Sequence, residues 1–368
     1  MTGTTAGPQA PTTAPTTRIG LVGYGGAGRG IHARLAREAG LQVTAVVARD
    51  EARRASAVED WPGVVLCDDL DSLLAQRDAF DVVVVASPTP LHVEHAVTVL
   101  GSGVPLVLDK PIALDGAGAR EVLAAAERAG TPLTVFQNRR WDPEQLTLAA
   151  VLARGELGEV HTFERRWERY RPVPQQRWKE NDPVGGGLLL DLGPHLVDSA
   201  TQLFGPVVSV QAELRALTTP TEDDVFLSLH HAGVDGARPV VSRLWAGSLV
   251  AAGGPRTRVL GSDGAYVVTT FENDASPFEV FDDAAPEGTE GWITRGSERT
   301  PCRAPRVGMP TSTVRSTPGS VRVGRPRSTR PTRCAPPTCS TPHGGRPPRA
   351  DASRSEHLLA AVVPVDDG

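Results

Sequence analysis

Residues 18–138 alternate short aliphatic runs with stretches of helical spacing. Arg18 to Gly23 is an apolar strand closed by a glycine turn, and residues 30–39 read as a helix. Val43 to Ala48, Val82 to Ala86, Pro105 to Leu108 and Leu133 to Phe136 are largely aliphatic. Such runs suit strands buried on both faces of a parallel sheet, where neither face meets water. Between them lie helices, including 91–101 and 116–129. Strand and helix in alternation predict a doubly wound α/β domain of the Rossmann type.

The texture changes after a helix at 142–154. Residues 160–170, 206–217, 224–232, 238–250 and 256–269 read as longer strands with partial alternation, and only 187–204 reads as helix among them. This predicts a second, α+β domain over 139–300, with a largely antiparallel open sheet. Helices would cover one face and leave the other for a partner subunit, so a homo-dimer or homo-tetramer is expected. Residues 1–17, rich in Thr, Pro, Ala and Gly, read as a disordered leader rather than a signal peptide.

Composition narrows the class. Net charge is −5, yet residues 301–368 hold eleven arginines against four acidic side chains, so the body is clearly acidic. An acidic body argues against nucleic acid as a partner. No apolar run reaches the roughly 18 residues of a spanning helix, so no membrane is expected. Before residue 301 the only cysteine is Cys67. That fits a reducing cytoplasm, without disulfides or metal-ligand spacing. Residues 301–368 contain twelve prolines and no Phe, Trp or Tyr, and read as a disordered Arg/Pro-rich tail.

The chemistry starts at Gly23, Tyr24, Gly25, Gly26, Ala27 and Gly28, which follow the first strand and open a helix. Glycines there allow a tight turn, and free N–H groups at a helix start face a pyrophosphate. At the end of the second strand, an NAD enzyme usually carries a carboxylate for the ribose 2′-hydroxyl. Here Ala48 holds that place and Arg49 follows, so a 2′-phosphate is expected: NADP preferred, NAD possible. In a shifted register Asp50 would be the ribose ligand. Ser87, Pro88 and Thr89 end a central strand where a nicotinamide ribose would lie. His92 and His95 are expected to pack or cap, and no metal is expected.

Only two lysines stand against 36 arginines, the bias of a GC-rich gene. A lysine kept under that bias marks a place for a compact ammonium whose pKa responds to burial. Lys110 follows a sheet strand at its carboxyl end, where ligands of open α/β sheets bind. Asp191 and His195 are spaced i, i+4, so one helix face would hold both. His195 suits proton transfer near neutral pH, Asp191 would orient its ring, and Lys110 would hold a developing alkoxide. Gly185 to Gly187 would let backbone come close to a ligand.

At these residues the chain resembles the glucose–fructose oxidoreductase and inositol dehydrogenase family, Gfo/Idh/MocA, over about residues 18–300. The resemblance rests on the glycine loop, on Asp109-Lys110-Pro111 where the family usually has Glu-Lys-Pro, and on Gly187 through Asp191 to His195. It implies that Lys110, Asp191 and His195 are the catalytic residues, with Lys110 also at the cofactor. Gln137 to Asp142 and Arg169-Tyr170-Arg171-Pro172 are similar to the NADP-dependent scyllo-inositol dehydrogenase branch. Asn138, Arg169 and Tyr170 would then bind substrate with Asp191 and His195, and the arginines near Asn138 are either ligands or ion-paired scaffold.

The implied activity is hydride transfer between nicotinamide and a secondary alcohol of a cyclic polyol or sugar. Alternatives are an aldose or keto-sugar dehydrogenase, a sugar-sensing regulator that binds NAD(P) without turnover, and the inactive product of a damaged gene. The family ends in helices that return to the nucleotide domain, often with an F-Y pair and a V-D-P turn. Read one base earlier, codons for Met309 to Gly319 permit D-A-D-F-Y-R-A-F-D-A-G, and those for Arg327 to Cys334 permit P-V-D-P-A-D-A-V. A frameshift near Pro301 is therefore the expectation. Resequencing the gene tests it, and an intact frame through codon 301 in independent isolates would overturn it.

Overall fold

The computed structural model describes residues 16–233, 238–269, 288–303 and 305. Residues 1–15 of the 1–17 leader, and residues 304 and 306–368 of the 301–368 tail, lie outside the described residues, and so do the leader reading and the shifted-frame helices that fall there.

Six strands form the first sheet: β1 (Arg18–Val22), β2 (Gln42–Val47), β3 (Val65–Cys67), β4 (Val82–Val85), β5 (Leu106–Asp109) and β6 (Leu133–Phe136). Their order is β3-β2-β1-β4-β5-β6, and every pair is parallel. The aliphatic runs are explained by what lies above and below. One face packs Val83, Val85, Leu106 and Leu108 against Ala96, Val99 and Val122, while the other packs Ile19, Leu21, Val43 and Val46 against Ala33, Ala36 and Ala57. Helices α1 (Arg34–Glu38), α2 (Glu51–Asp60), α3 (Leu70–Leu74), α4 (His92–Gly101) and α5 (Gly116–Ala129) supply those covers. Local chemistry sets their ends. Asp115 caps α5 by accepting from Gly118 N, and Gly130 (φ 60°) closes it in the left-handed region. The first helical stretch opens earlier than its sequence suggests, with a π-helical turn at Gly28–Ala33.

After α6 (Pro143–Ala153) come β7 (Val160–Glu168), α7 (Trp178–Asn181), α8 (Leu188–Asp191) and α9 (Gly193–Phe204). The second sheet is completed by β8 (Val207–Arg215), β9 (Asp224–His231), β10 (Val241–Gly247), β11 (Thr257–Gly261), β12 (Ala265–Val268), β13 (Thr289–Arg295) and β14 (Glu298–Arg303). The strand order is β14-β13-β12-β11-β7-β10-β9-β8, antiparallel except for the parallel pair β7 and β10. Helices α6, α8 and α9 pack Leu148, Val151, Leu189, Leu196 and Phe204 against Phe163, Leu227, Leu244 and Val259 on one face.

Two boundaries differ from the sequence reading. The run 256–269 is a hairpin, because Gly261 N bonds Gly264 O and turns the chain after β11. The second sheet also continues past residue 300. In β14 Pro301 sits opposite Trp292 on the outermost strand, where a missing N–H leaves no ladder bond broken. Among the described residues no helix is long and apolar enough to cross a membrane.

Candidate active site

A cleft of 880 Å³ runs from the glycine loop after β1 to the lysine and histidine groups between the two sheets. At its first end, the backbone does the building. Gly23 turns the chain at φ 94°, and a Cβ there would sit 2.8 Å from Ala86 O. A Cβ on Gly28 would sit 2.0 Å from Gly23 O, so only glycine lets the helix start against the strand end. Gly25, Gly26 and Ala27 line the cleft, and a Cβ on Gly26 would meet open space. A helix start facing an open glycine-lined cradle fits a pyrophosphate. Tyr24 contributes backbone only. Its ring is 2% exposed and its hydroxyl donates to Asp60 at 2.8 Å, so its phenol is not available to a cofactor.

Arg49 lines the cleft beyond β2. Asp50 does not serve as a free carboxylate, since it caps α2 by accepting from Arg53 N at 3.0 Å. Arg53, not anticipated from sequence, lines the same cleft and lies beside Gly25, at 3.8 Å from the position of a Cβ there. Its cue was the first-turn position of a helix that follows a nucleotide-type strand. Ser87, Pro88 and Thr89 line the middle. His92 ties this loop to the next: its two ring nitrogens lie 2.9 Å from Ser87 O and 2.7 Å from Pro111 O. His95 Nδ1 pairs with Ser87 Oγ at 3.0 Å. Both histidines thus act in packing and loop tethering. Among the described residues no group of three or more His, Cys, Asp or Glu side chains could hold a metal ion.

Lys110, Asp191 and His195 meet at the second end of the cleft. Lys110 Nζ donates to Asp191 O at 2.5 Å and lies 3.4 Å from Asp191 Oδ1. The backbone N–H of Lys110 donates to Asp109 Oδ1, and Asp109 Oδ2 faces His32 Nε2 at 3.5 Å. Burial lowers the Lys110 pKa, partly countered by Asp191. Burial alone would raise the Asp191 pKa, but Lys110 and Lys179 overcome it and hold the carboxyl well below its usual range. His195 is driven well below its ordinary value by burial, then by Lys110 and Arg139.

The expected Asp191–His195 pairing on one helix face does not form. Asp191 ends α8, Leu192 breaks the run (φ −109°, ψ −30°), and Pro194 lies in the first turn of α9. Pro194 has no N–H to continue the ladder from α8. Asp191 turns to the lysines, and the buried His195 Nδ1 has no hydrogen-bond partner among the described residues. The His195 ring packs 5.7 Å from Trp167. Of the three glycines before α8, Gly185 and Gly187 line the cleft. A Cβ on Gly186 would lie 2.5 Å from Asp182 O, and one on Gly187 would lie 2.0 Å from Glu222 Oε1. They permit close chain-to-chain packing.

Asn138 and Arg169 line the cleft. Tyr170 does not: it is 60% exposed and bridges to Leu249 at the sheet margin. Arg139 pairs with Asp142 and Arg140 with Asp198, so both take part in scaffold ion pairs. Trp167, Trp178 and Lys179 complete the wall and were missed. The cue for Lys179 was its being the second of only two lysines.

Comparison with known proteins bears on the family and the fold. Residues 17–137 match the oxidoreductase family with the NAD-binding Rossmann fold, Gfo/Idh/MocA, and residues 146–267 match the Gfo/Idh/MocA C-terminal domain. The uncharacterized oxidoreductase YdgJ of Escherichia coli is 37% identical over 250 residues, 68% of this chain and 70% of YdgJ. The Bacillus subtilis scyllo-inositol 2-dehydrogenase (NADP(+)) IolW is 29% identical over 68% of each chain. The solved structure of Bacillus subtilis YvaA aligns with a TM-score of 0.66 at 28% identity, over 79% of this chain and 83% of that one. With its NAD(P)-binding Rossmann domain and its second, mostly antiparallel sheet, the chain belongs to the Gfo/Idh/MocA family of oxidoreductases.

Proposed function

We propose that this oxidoreductase is an NAD(P)-dependent dehydrogenase that acts on a secondary alcohol of a cyclic polyol or sugar, with NADP preferred. One observation carries the reading. Lys110, Asp191 and His195 come from separate elements of both sheet systems and meet in the cleft that begins at the glycine loop. Proton-handling groups at the far end of a pyrophosphate cradle are what alcohol oxidation requires.

When bound, the nicotinamide supplies the hydride acceptor. The chain's own groups handle the oxygen and its proton. Lys110 spends donors on Asp191 O and Oδ1, and an ammonium has three. The remaining N–H holds the substrate oxygen and stabilises charge that develops on it, in a site where burial strengthens the interaction. His195, held neutral by burial and by neighbouring cations, accepts the hydroxyl proton. Asp191 stays ionised and fixes Lys110. Asn138 is placed to read a hydroxyl, and Trp167 and Trp178 offer flat walls to the carbon face of a ring. The name of IolW, a relative at 29% identity, supports the polyol class. Arg49 and Arg53 support NADP, because two guanidinium groups on the cleft wall, one just beyond β2 and one in the first turn of α2, suit a 2′-phosphate.

A panel of inositols, aldoses and keto-sugars assayed with NADP and NAD tests the reading. The expected result is NADP reduction with a cyclic polyol, lost in His195→Ala. Turnover surviving in both His195→Ala and Lys110→Arg would overturn the mechanism. The sheet face bearing Glu164, Arg166, Phe226 and Trp245 is the proposed contact of a homo-dimer or homo-tetramer. Sedimentation of the purified chain checks it, and a monomer would refute it.

A further inference from the structure

The chain's only two lysines, 69 residues apart among 36 arginines, bind the same carboxylate oxygen. Lys110 reaches Asp191 Oδ1 at 3.4 Å, and Lys179 forms a closer ion pair with that same atom. Lys179 rides on α7, a single turn held firmly in place. Its carbonyl accepts from Gly187 N at 2.8 Å, Thr221 Oγ1 donates to Glu180 O at 3.0 Å, and Arg177 pairs with Glu180. A Cβ on Gly186 would lie 2.6 Å from Lys179 O, so glycine is what lets this turn sit against the Asp191 loop. Lys110 is the more enclosed of the two, with 15% of its side chain exposed against 37% for Lys179.

We propose that Lys179 is a positioning residue of the reaction centre: it draws the Asp191 carboxylate to the lysine pair and away from His195, leaving the imidazole unpaired for the substrate proton. The inference rests on the function proposed above. His195 is faced by Lys110 beyond β5, Arg139 beyond β6, Trp167 from β7, Lys179 from α7 and Asp191 from α8. Removing Lys179 takes away one cation and leaves the Asp191 carboxylate held by Lys110 alone, at 3.4 Å. Both changes favour a protonated imidazole. The burial and charge pattern that holds His195 below its ordinary value includes Lys179 among its causes.

The test is the titration of His195 in the full chain, read by NMR of ring-labelled histidine. His195→Gln identifies the signal, and no substrate is required. In Lys179→Met the His195 midpoint is expected to rise by on the order of one pH unit. Lys179→Arg, which keeps the charge, should return it to the wild-type position. Lys179→Gln provides a second neutral variant should Met perturb the fold. On a reduced substrate panel, the acid limb of kcat/KM should move upward with the same pattern. A His195 titration unchanged in both neutral variants would overturn the proposal, as would a shift that Arg fails to reverse. Failure of the dehydrogenase reading is seen separately, as turnover that persists in His195→Ala, whatever the titration shows.

Discussion

The two ends of the cleft are made of different material. The proposed cofactor end is backbone: Gly23, Gly25, Gly26 and Gly28 in one turn of chain, with a Cβ excluded at Gly23 by Ala86 O at 2.8 Å and at Gly28 by Gly23 O at 2.0 Å. The proposed substrate end is side chain: Lys110, Asn138, Trp167, Lys179, Asp191 and His195, gathered from six places along 86 residues. Such a backbone turn is local, and it tolerates no added atom at Gly23 or Gly28. A side-chain cluster tolerates modest geometric change, but each charge in it sets the protonation of the others.

That contrast can be broken at either end. The largest effect is expected at the side chains. Lys110→Met and His195→Ala should each lower kcat/KM roughly 10²–10⁴-fold, the range of general acid–base and oxyanion groups, and in His195→Ala cofactor affinity should be nearly unchanged in fluorescence titration. Equal loss of cofactor binding would mean that the two ends are not separable. Next comes Gly28→Val, expected to weaken NADP binding by about 100-fold or more, because the helix must move off the strand end. Native-like affinity in a folded variant would show that the loop is not the cradle.

A smaller effect separates the two arginines near β2. Arg53→Ala and Arg49→Ala are each expected to raise the NADP dissociation constant about tenfold, or about 1.4 kcal/mol, and to leave NAD within twofold. If only Arg53 matters, the determinant lies on α2 rather than at the strand end. The smallest effect is on stability. Burial lowers the pKa of His195 and of His231, whose ring nitrogens face Gly205 O and Ser242 Oγ. The unfolded chain therefore takes up protons near pH 6.5 that the folded chain refuses. Unfolding free energy should fall as pH drops below about 6.5, by at most about 1.4 kcal/mol per pH unit for each histidine. His195→Gln should flatten that slope in urea titrations at pH 5 to 7, and an unchanged slope would show that the ring protonates in the folded state.

The parallel sheet was readable because each of its strands is a short aliphatic run, and a run buried on both faces looks the same in every such fold. β3 was not read: Val65 to Cys67 is three residues long, too short for any period. In the second sheet the pattern blurred where polar groups are buried as pairs. On β7, Glu164 and Arg165 are both buried, Arg165 against Glu144 and Glu164 against Arg166 and Arg258. Alternation of polar and apolar residues fails there, since hydrogen-bonded charges stand in for apolar side chains. The hairpin after Gly261 and the continuation into β14 were missed for a similar reason, as turn and edge are decided by neighbouring strands.

By itself the sequence determined the glycine cradle, the parallel sheet and the candidacy of Lys110, Asp191 and His195. Each depends on residues close in the chain, or on a residue type kept against a strong compositional bias. Only the tertiary structure decided who partners whom. Helical spacing would have given Asp191 to His195, but the break at Leu192 and Pro194 gave it to Lys110 and Lys179. It also placed Tyr24 in the core and Tyr170 at the surface, and brought Arg53 to the glycine loop. Partnership between charges depends on distance and burial across folded layers, and neither is encoded in spacing along the chain.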